Sequence, residues 1–189
     1  NGHKTIACWL ADRWEFTKED VMVNGGEAFR WAYMHGHKEI VRWMADRWDL
    51  SKEDVRDGYA FGCACHSGRR KIACWMADKW DLTKEDVMIR GWHAFKWACE
   101  NGHREIACWI ADMWDLSKED VMVVGGYAFR WACENGDKEI ACWLADRWNF
   151  TKEDVMIEYG FAFKWAFHKR HKELVCWFGE KYGIYENGI

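Results

Sequence analysis

The chain has 189 residues, a net charge of −4, 16 tryptophans, nine cysteines and no proline. That length suits one domain or one short array, and mild acidity argues against a nucleic-acid footprint, which shows as a basic excess. No run is long and apolar enough to span a bilayer and no signal peptide is visible, while a start at Asn1 reads as a fragment or processed product.

Taken in chain order, the elements repeat. Ile-Ala-Cys-Trp or a variant ends at Trp9, Trp43, Trp75, Trp109, Trp143 and Trp177, in steps of 34, 32, 34, 34 and 34 residues. Lys-Glu-Asp recurs in the same steps from Lys18 to Lys152, and Ala-Phe recurs from Ala28 to Ala162. The short step falls between Val55 and Ala60, so the deletion lies in a loop. The chain opens just before a second helix, which leaves an apolar end to be covered by further sequence or another subunit. At the other end, 182–189 departs from the repeat and reads as a cap or tail. About five and a half repeats in a single array, 1–189, are expected.

Each full unit predicts three pieces. Tyr127 to Gly136 reads as a first helix ended by a left-handed glycine. Asp137 to Trp148 reads as a second helix, apolar on most sides through Ile140, Ala141, Trp143, Leu144, Ala145 and Trp148, and so buried between neighbours. Phe150 to Val155 predicts a short third helix. Thr151 caps it, Asp154 closes a capping box, and Phe150 staples to Val155. Phe16/Thr17/Val21, Leu50/Ser51/Val55, Leu82/Thr83/Val87 and Leu116/Ser117/Val121 repeat that grammar. The tryptophans sort into three ladders. The first runs from Trp9 to Trp177. The second is Trp14, Trp48, Trp80, Trp114 and Trp148, ending in Tyr182. The third is Trp31, Trp97, Trp131 and Trp165, interrupted by Cys63. They are expected in the core, each under its counterpart in the next copy.

Ala98 to Ala111 and Ala132 to Ala145 resemble ankyrin repeats. Ala98-Cys99-Glu100-Asn101-Gly102-His103 followed by Arg104-Glu105-Ile106-Ala107 matches the family's helix-turn-helix pattern, and His35 to Val41 matches it again. The likeness recurs through all six copies. Tyr127-Ala128-Phe129-Arg130 stands where the family has Thr-Pro-Leu-His, and Trp114 to Asp120 replaces its hairpin segment. The resemblance implies an all-α, right-handed helical-repeat solenoid of ankyrin-like helix pairs, with a short third helix in place of the β-hairpin finger. The tetratricopeptide repeat shares the period but not the residue pattern.

Cys99, His103 and Cys108 carry zinc-type donors, but no other copy keeps all three, so the reading is a turn and not a metal site. Cys65/Cys74, Cys99/Cys108 and Cys133/Cys142 are each nine apart, and Tyr33 and Arg42 replace both members together. Two readings stay open. Intra-repeat disulfides would imply an oxidising, extracellular setting; small reduced thiols suit a cytoplasmic one. An odd cysteine count leaves at least one thiol unpaired. Asn149-Phe150-Thr151 is formally a glycosylation sequon but reads as the cap. Arg30, Lys96, Arg130 and Lys164 form a basic ladder on the first helices, interleaved with acids, which favours a solvated face over a nucleic-acid groove.

The copies differ most between the third piece and the next first helix. In a solenoid such loops align along one edge. Glu27, Asp57, Tyr59, Arg90, Trp92, His93, Tyr127, Glu158, Tyr159 and Phe161 are therefore the candidate binding residues, against simple drift in a tolerant loop. The expected function is a non-enzymatic protein–protein interaction scaffold with no cofactor, no small-molecule substrate and no membrane partner. The alternatives are a self-assembling repeat protein, which would partner copies of itself, a nucleic-acid-binding solenoid, and an enzyme hidden in the loops.

Overall fold

A chain without proline, punctuated by glycine and by Ser/Thr caps, has its helix ends chosen by local turn chemistry. A computed structural model describes residues 3–55 and 59–185, and the side chains at 23–25, 59, 89–93, 123–125 and 159 lie outside that description. In order, the helices are α1 (Lys4–Arg13), α2 (Lys18–Met34), α3 (Lys38–Arg47), α4 (Tyr59–His66), α5 (Arg70–Lys79) and α6 (Lys84–Glu100). They continue as α7 (Arg104–Met113), α8 (Lys118–Asn135), α9 (Lys138–Arg147), α10 (Lys152–Val155), α11 (Ile157–His168) and α12 (Lys172–Tyr182). Among the described residues there is no strand, and the fold is an all-α helical repeat.

The chain divides into two compact units, 1–94 and 95–189, with the division inside α6. In the first unit α2 packs on α3 and on α4, α4 on α5, and α1 on α3. In the second, α8 packs on α9 and on α11, and α11 on α12. A first helix thus lies against its own second helix and against the next first helix.

The first helices end as expected. Gly36, Gly68, Gly102 and Gly136 take φ of 80, 70, 73 and 79°. Past Gly136 the Asp137 N–H donates to the Ala132 carbonyl at 2.8 Å, the long bond of a Schellman motif. Arg170 holds the same position in the last copy, at φ 62°. The second helices end in the same way without glycine. Glu15, Asp49, Asp81, Asp115 and Asn149 take φ of 43–49°, and the Phe150 N–H donates to Ala145 at 2.9 Å. Four of these five are Asp or Asn, the side chains that best tolerate a left-handed backbone.

All five capping boxes form. Thr151 N–H donates to Asp154 Oδ2 at 2.6 Å, and Asp154 N–H returns to Thr151 Oγ1 at 3.3 Å. Ser51 and Asp54 make the same pair. Among the described residues the expected short third helix stands alone as α10, while 52–55 form a turn. In α2, α6 and α8 the capped turn runs on into the next first helix as one element of 17 or 18 residues. Val-Met-Val-Val in α8 contains neither proline nor a capping side chain that would stop it. The chain instead bends at Gly126, φ 68°. The described start of the C-terminal segment still follows the repeat in part. Gly183, at the position of Asn149, is left-handed and Ile184, at that of Phe150, is buried, but α12 runs one residue longer and Ile184 N–H donates to the Phe178 carbonyl at 3.3 Å, one residue further back than the equivalent bond of Phe150. Residues 186–189 lie outside the described residues.

The tryptophan ladders are less central than expected. The buried column is phenylalanine, Phe29, Phe95, Phe129 and Phe163, backed by alanines. Trp80 and Trp148 are 9% exposed, the other inner tryptophans are half-buried, and Trp9, Trp14 and Trp31 are 60, 60 and 56% exposed. The rings meet edge-on within a copy, Trp43 with Trp48 at 5.2 Å and Trp143 with Trp148 at 5.5 Å. Helical spacing assigns them a face, but the offset between copies decides how far each is covered.

Candidate interaction surface

The invariant motifs are used up by the framework. In Lys-Glu-Asp, the aspartate closes its own cap and the lysine reaches the capping aspartate of the next copy: Lys18 to Asp54 at 2.5 Å, Lys52 to Asp86, and Lys118 to Asp154 at 2.5 Å. Burial raises the Asp154 carboxyl, but the Lys118 ammonium and the Thr151 N–H and hydroxyl outweigh it, and its pKa lies below the ordinary value. Asp54 and Asp86 are lowered by the same balance. These carboxylates stay ionised and occupied. A second ladder links Arg47 to Asp12 at 3.2 Å, Lys79 to Asp46 at 2.8 Å and Arg147 to Asp112 at 2.7 Å. The turns are tied as well: Asn135 Nδ2 donates to the Glu100 carbonyl and His171 Nε2 to the Glu134 carbonyl, both at 2.8 Å.

The turn position of His103 is held by Asp137 in the next copy, where the carboxylate accepts from the Ile140 N–H at 3.0 Å. That is a helix cap. Among the described residues no group of three or more His, Cys, Asp or Glu is placed to hold a metal ion. All nine cysteines are free thiols in the structure. Cys65, Cys99 and Cys133 are buried, and burial pushes each thiol well above its usual range. Cys74, Cys108 and Cys142 are half-buried, and burial raises them too.

Cationic and aromatic side chains meet along the outer strip of α8 and α11. Arg130 extends from α8 with its guanidinium carbon 4.9 Å from the Tyr127 ring and 5.3 Å from the Phe161 ring. It also pairs with Glu158. Lys96 approaches the Tyr127 ring at 5.1 Å and the Trp131 ring at 6.0 Å. Lys169 lies 5.6 Å from the Trp165 ring and pairs with Glu134 at 2.9 Å. Cations and rings therefore alternate along this face, each contact worth roughly 0.5–1 kcal/mol where exposed. Arg130 Nε is buried and has no hydrogen-bond partner.

Three of the ten candidate residues, Tyr127, Glu158 and Phe161, meet around Arg130. Glu27 sits apart in the first unit, 3.8 Å from Arg30. Asp57, and the side chains of Tyr59, Arg90, Trp92, His93 and Tyr159, lie outside the described residues. Arg130, Lys96, Trp131 and Trp165 were not in the candidate set. The basic ladder was the signal for them, but it reads as a solvated face until rings from the neighbouring copy are brought beside it. No described helix is long and apolar enough to cross a membrane. Comparison with family models, with curated proteins and with solved structures returned no match.

Proposed function

We propose that the chain is a protein-interaction scaffold, non-enzymatic, that engages its partner through the cation-and-ring face of its first helices. The carrying observation is Arg130, its guanidinium held between the Tyr127 and Phe161 rings. Aromatic and arginine side chains are the groups that concentrate binding energy at protein interfaces. The lysine and aspartate ladders leave the framework motifs structural, and the ankyrin-like turn agrees with a repeat used for binding. The partner surface this face fits presents acidic side chains or free carbonyls beside an apolar patch. Affinity capture on the immobilised full chain, compared with the Tyr127→Ala/Phe161→Ala variant, tests the reading. Proteins retained by the first and lost by the second, at an unchanged circular-dichroism melt, support it. Identical retention by both overturns it.

A further inference from the structure

At the start of the first unit lies a cavity of about 540 Å³ between α1, α2 and α3, lined among others by Leu10, Phe16, Trp31, Trp43, Met44 and Trp48. Its lining is explained by comparison with the later copies. Phe129 of α8 meets Phe150 at 5.5 Å, Trp177 at 6.3 Å and Phe178 at 6.0 Å. Phe95 of α6 meets Trp143 at 6.3 Å and Trp148 at 6.0 Å. In each case the phenylalanine of a first helix enters the second helix of the following copy. Carried back by whole repeats, those partners are Phe16, Trp43, Met44 and Trp48. All four line the cavity.

No phenylalanine fills this set among the described residues, and the exposures record it. Phe16 is 41% exposed where Phe150, covered by Phe129, is 5%. Trp31 is exposed while its counterparts Trp97, Trp131 and Trp165 are half-buried. The charge also fits. Glu27 occupies the position of Phe161, the residue that Arg130 lies against in the second unit. A basic residue following an incoming phenylalanine meets a carboxylate there instead of a ring.

We infer that this cavity is a docking socket for an amphipathic helix of the repeat's own first-helix type, presenting Ala-Phe-basic-Trp, with the phenylalanine seated between Phe16, Trp43, Met44 and Trp48. The socket continues the interface that α6 and α8 already make with the helices after them. It belongs to the first unit and shares no residue with the Arg130 cluster of the second, so its occupation and the scaffold reading fail independently.

The test is hydrogen exchange of the full chain with a synthetic peptide of sequence 118–136 carrying Cys133→Ser. The expected result is saturable protection confined to α1, α2, α3 and the Phe16 turn. The Phe129→Ala version of the peptide should bind more weakly by about tenfold or more, as loss of a central aromatic anchor does. Absence of protection at millimolar peptide overturns the inference. So does equal binding of the two peptides, or protection that falls elsewhere. Protection that develops with chain concentration alone, and that the peptide does not displace, assigns the socket to a second copy and overturns it too.

Discussion

Trp148 donates its indole N–H to the carbonyl oxygen of Leu116 at 2.8 Å, 32 residues earlier in the chain. Trp80 does the same to Leu50 at 2.8 Å and Trp48 to Phe16 at 2.9 Å. Each carbonyl belongs to the residue just after a left-handed turn, where no helix supplies a donor. The bond therefore closes the turn of one copy with the side chain of the next. Trp148→Phe keeps an aromatic ring and removes the donor, leaving the Leu116 carbonyl buried and unpaired. It should cost about 1–2 kcal/mol, read as a lower urea midpoint at unchanged slope. Trp14→Phe, at a residue 60% exposed, should stay within about 0.5 kcal/mol. Equal shifts for the two would refute the distinction between the covered and the exposed members of this ladder.

The left-handed turn makes opposite predictions at two equivalent positions. Gly136 takes φ 79°, and a Cβ built on it comes within 2.6 Å of His171 Nδ1. Gly136→Ala therefore meets backbone strain of about 1–2 kcal/mol and pushes His171 off the Glu134 carbonyl. Arg170 sits at φ 62° in the same place with a full side chain. Arg170→Gly releases comparable strain, offset by the greater freedom glycine gives the unfolded chain. A net gain of about 0.5–1 kcal/mol is expected. Thermal melts of both variants check the pair. A destabilised Arg170→Gly would show that the turn carries no strain.

Much of the fold was legible because its determinants are local. Thr151 and Asp154 are three residues apart, and Gly136 stands next to the helix it ends, so cap chemistry can be read from the string alone. The Arg130 cluster was not legible in the same way. Glu158 and Phe161 come from the next copy, and their meeting with Arg130 depends on how far one first helix is offset along another. The same offset decides why Phe129 is buried and Trp131 only half so, although both lie on α8. The lysine of Lys-Glu-Asp was invisible for that reason too: its partner Asp154 is 36 residues from Lys118.

Acid should loosen the array through the capping aspartates. Asp54, Asp86 and Asp154 have folded-state pKa values below the ordinary 3.8. A lowered carboxyl stabilises the folded state at every pH above its unfolded value, and that contribution is lost as pH falls through the folded value. Melting temperature should therefore change little on this account between pH 7 and 5, then drop below about pH 4. Asp54→Asn, Asp86→Asn and Asp154→Asn combined should lower the melt at neutral pH and flatten the acid slope. An unaltered slope in the triple variant would assign acid sensitivity to other carboxylates.

The thiols should separate by burial and not by sequence. Cys176 is exposed, while Cys65, Cys99 and Cys133 are closed off in the core with their thiols pushed well above the usual range. Reaction requires both access and thiolate, and these three lack both. Under native conditions at neutral pH a maleimide should label Cys176 first. Cys74, Cys108 and Cys142, half-buried and moderately raised, should follow more slowly. Cys65, Cys99 and Cys133 should label only at the rate of unfolding, so that their labelling accelerates with urea in step with the helical signal. Peptide mapping against time gives the order. Intact mass taken without reductant gives the oxidation state in the same sample, since each disulfide removes two hydrogens. Labelling of Cys99 as fast as Cys176 would mean that the α6–α7 turn opens in the native protein. Failure of Cys99 and Cys108 to label even when unfolded, with a mass reduced to match, would mean that the two are bonded to each other.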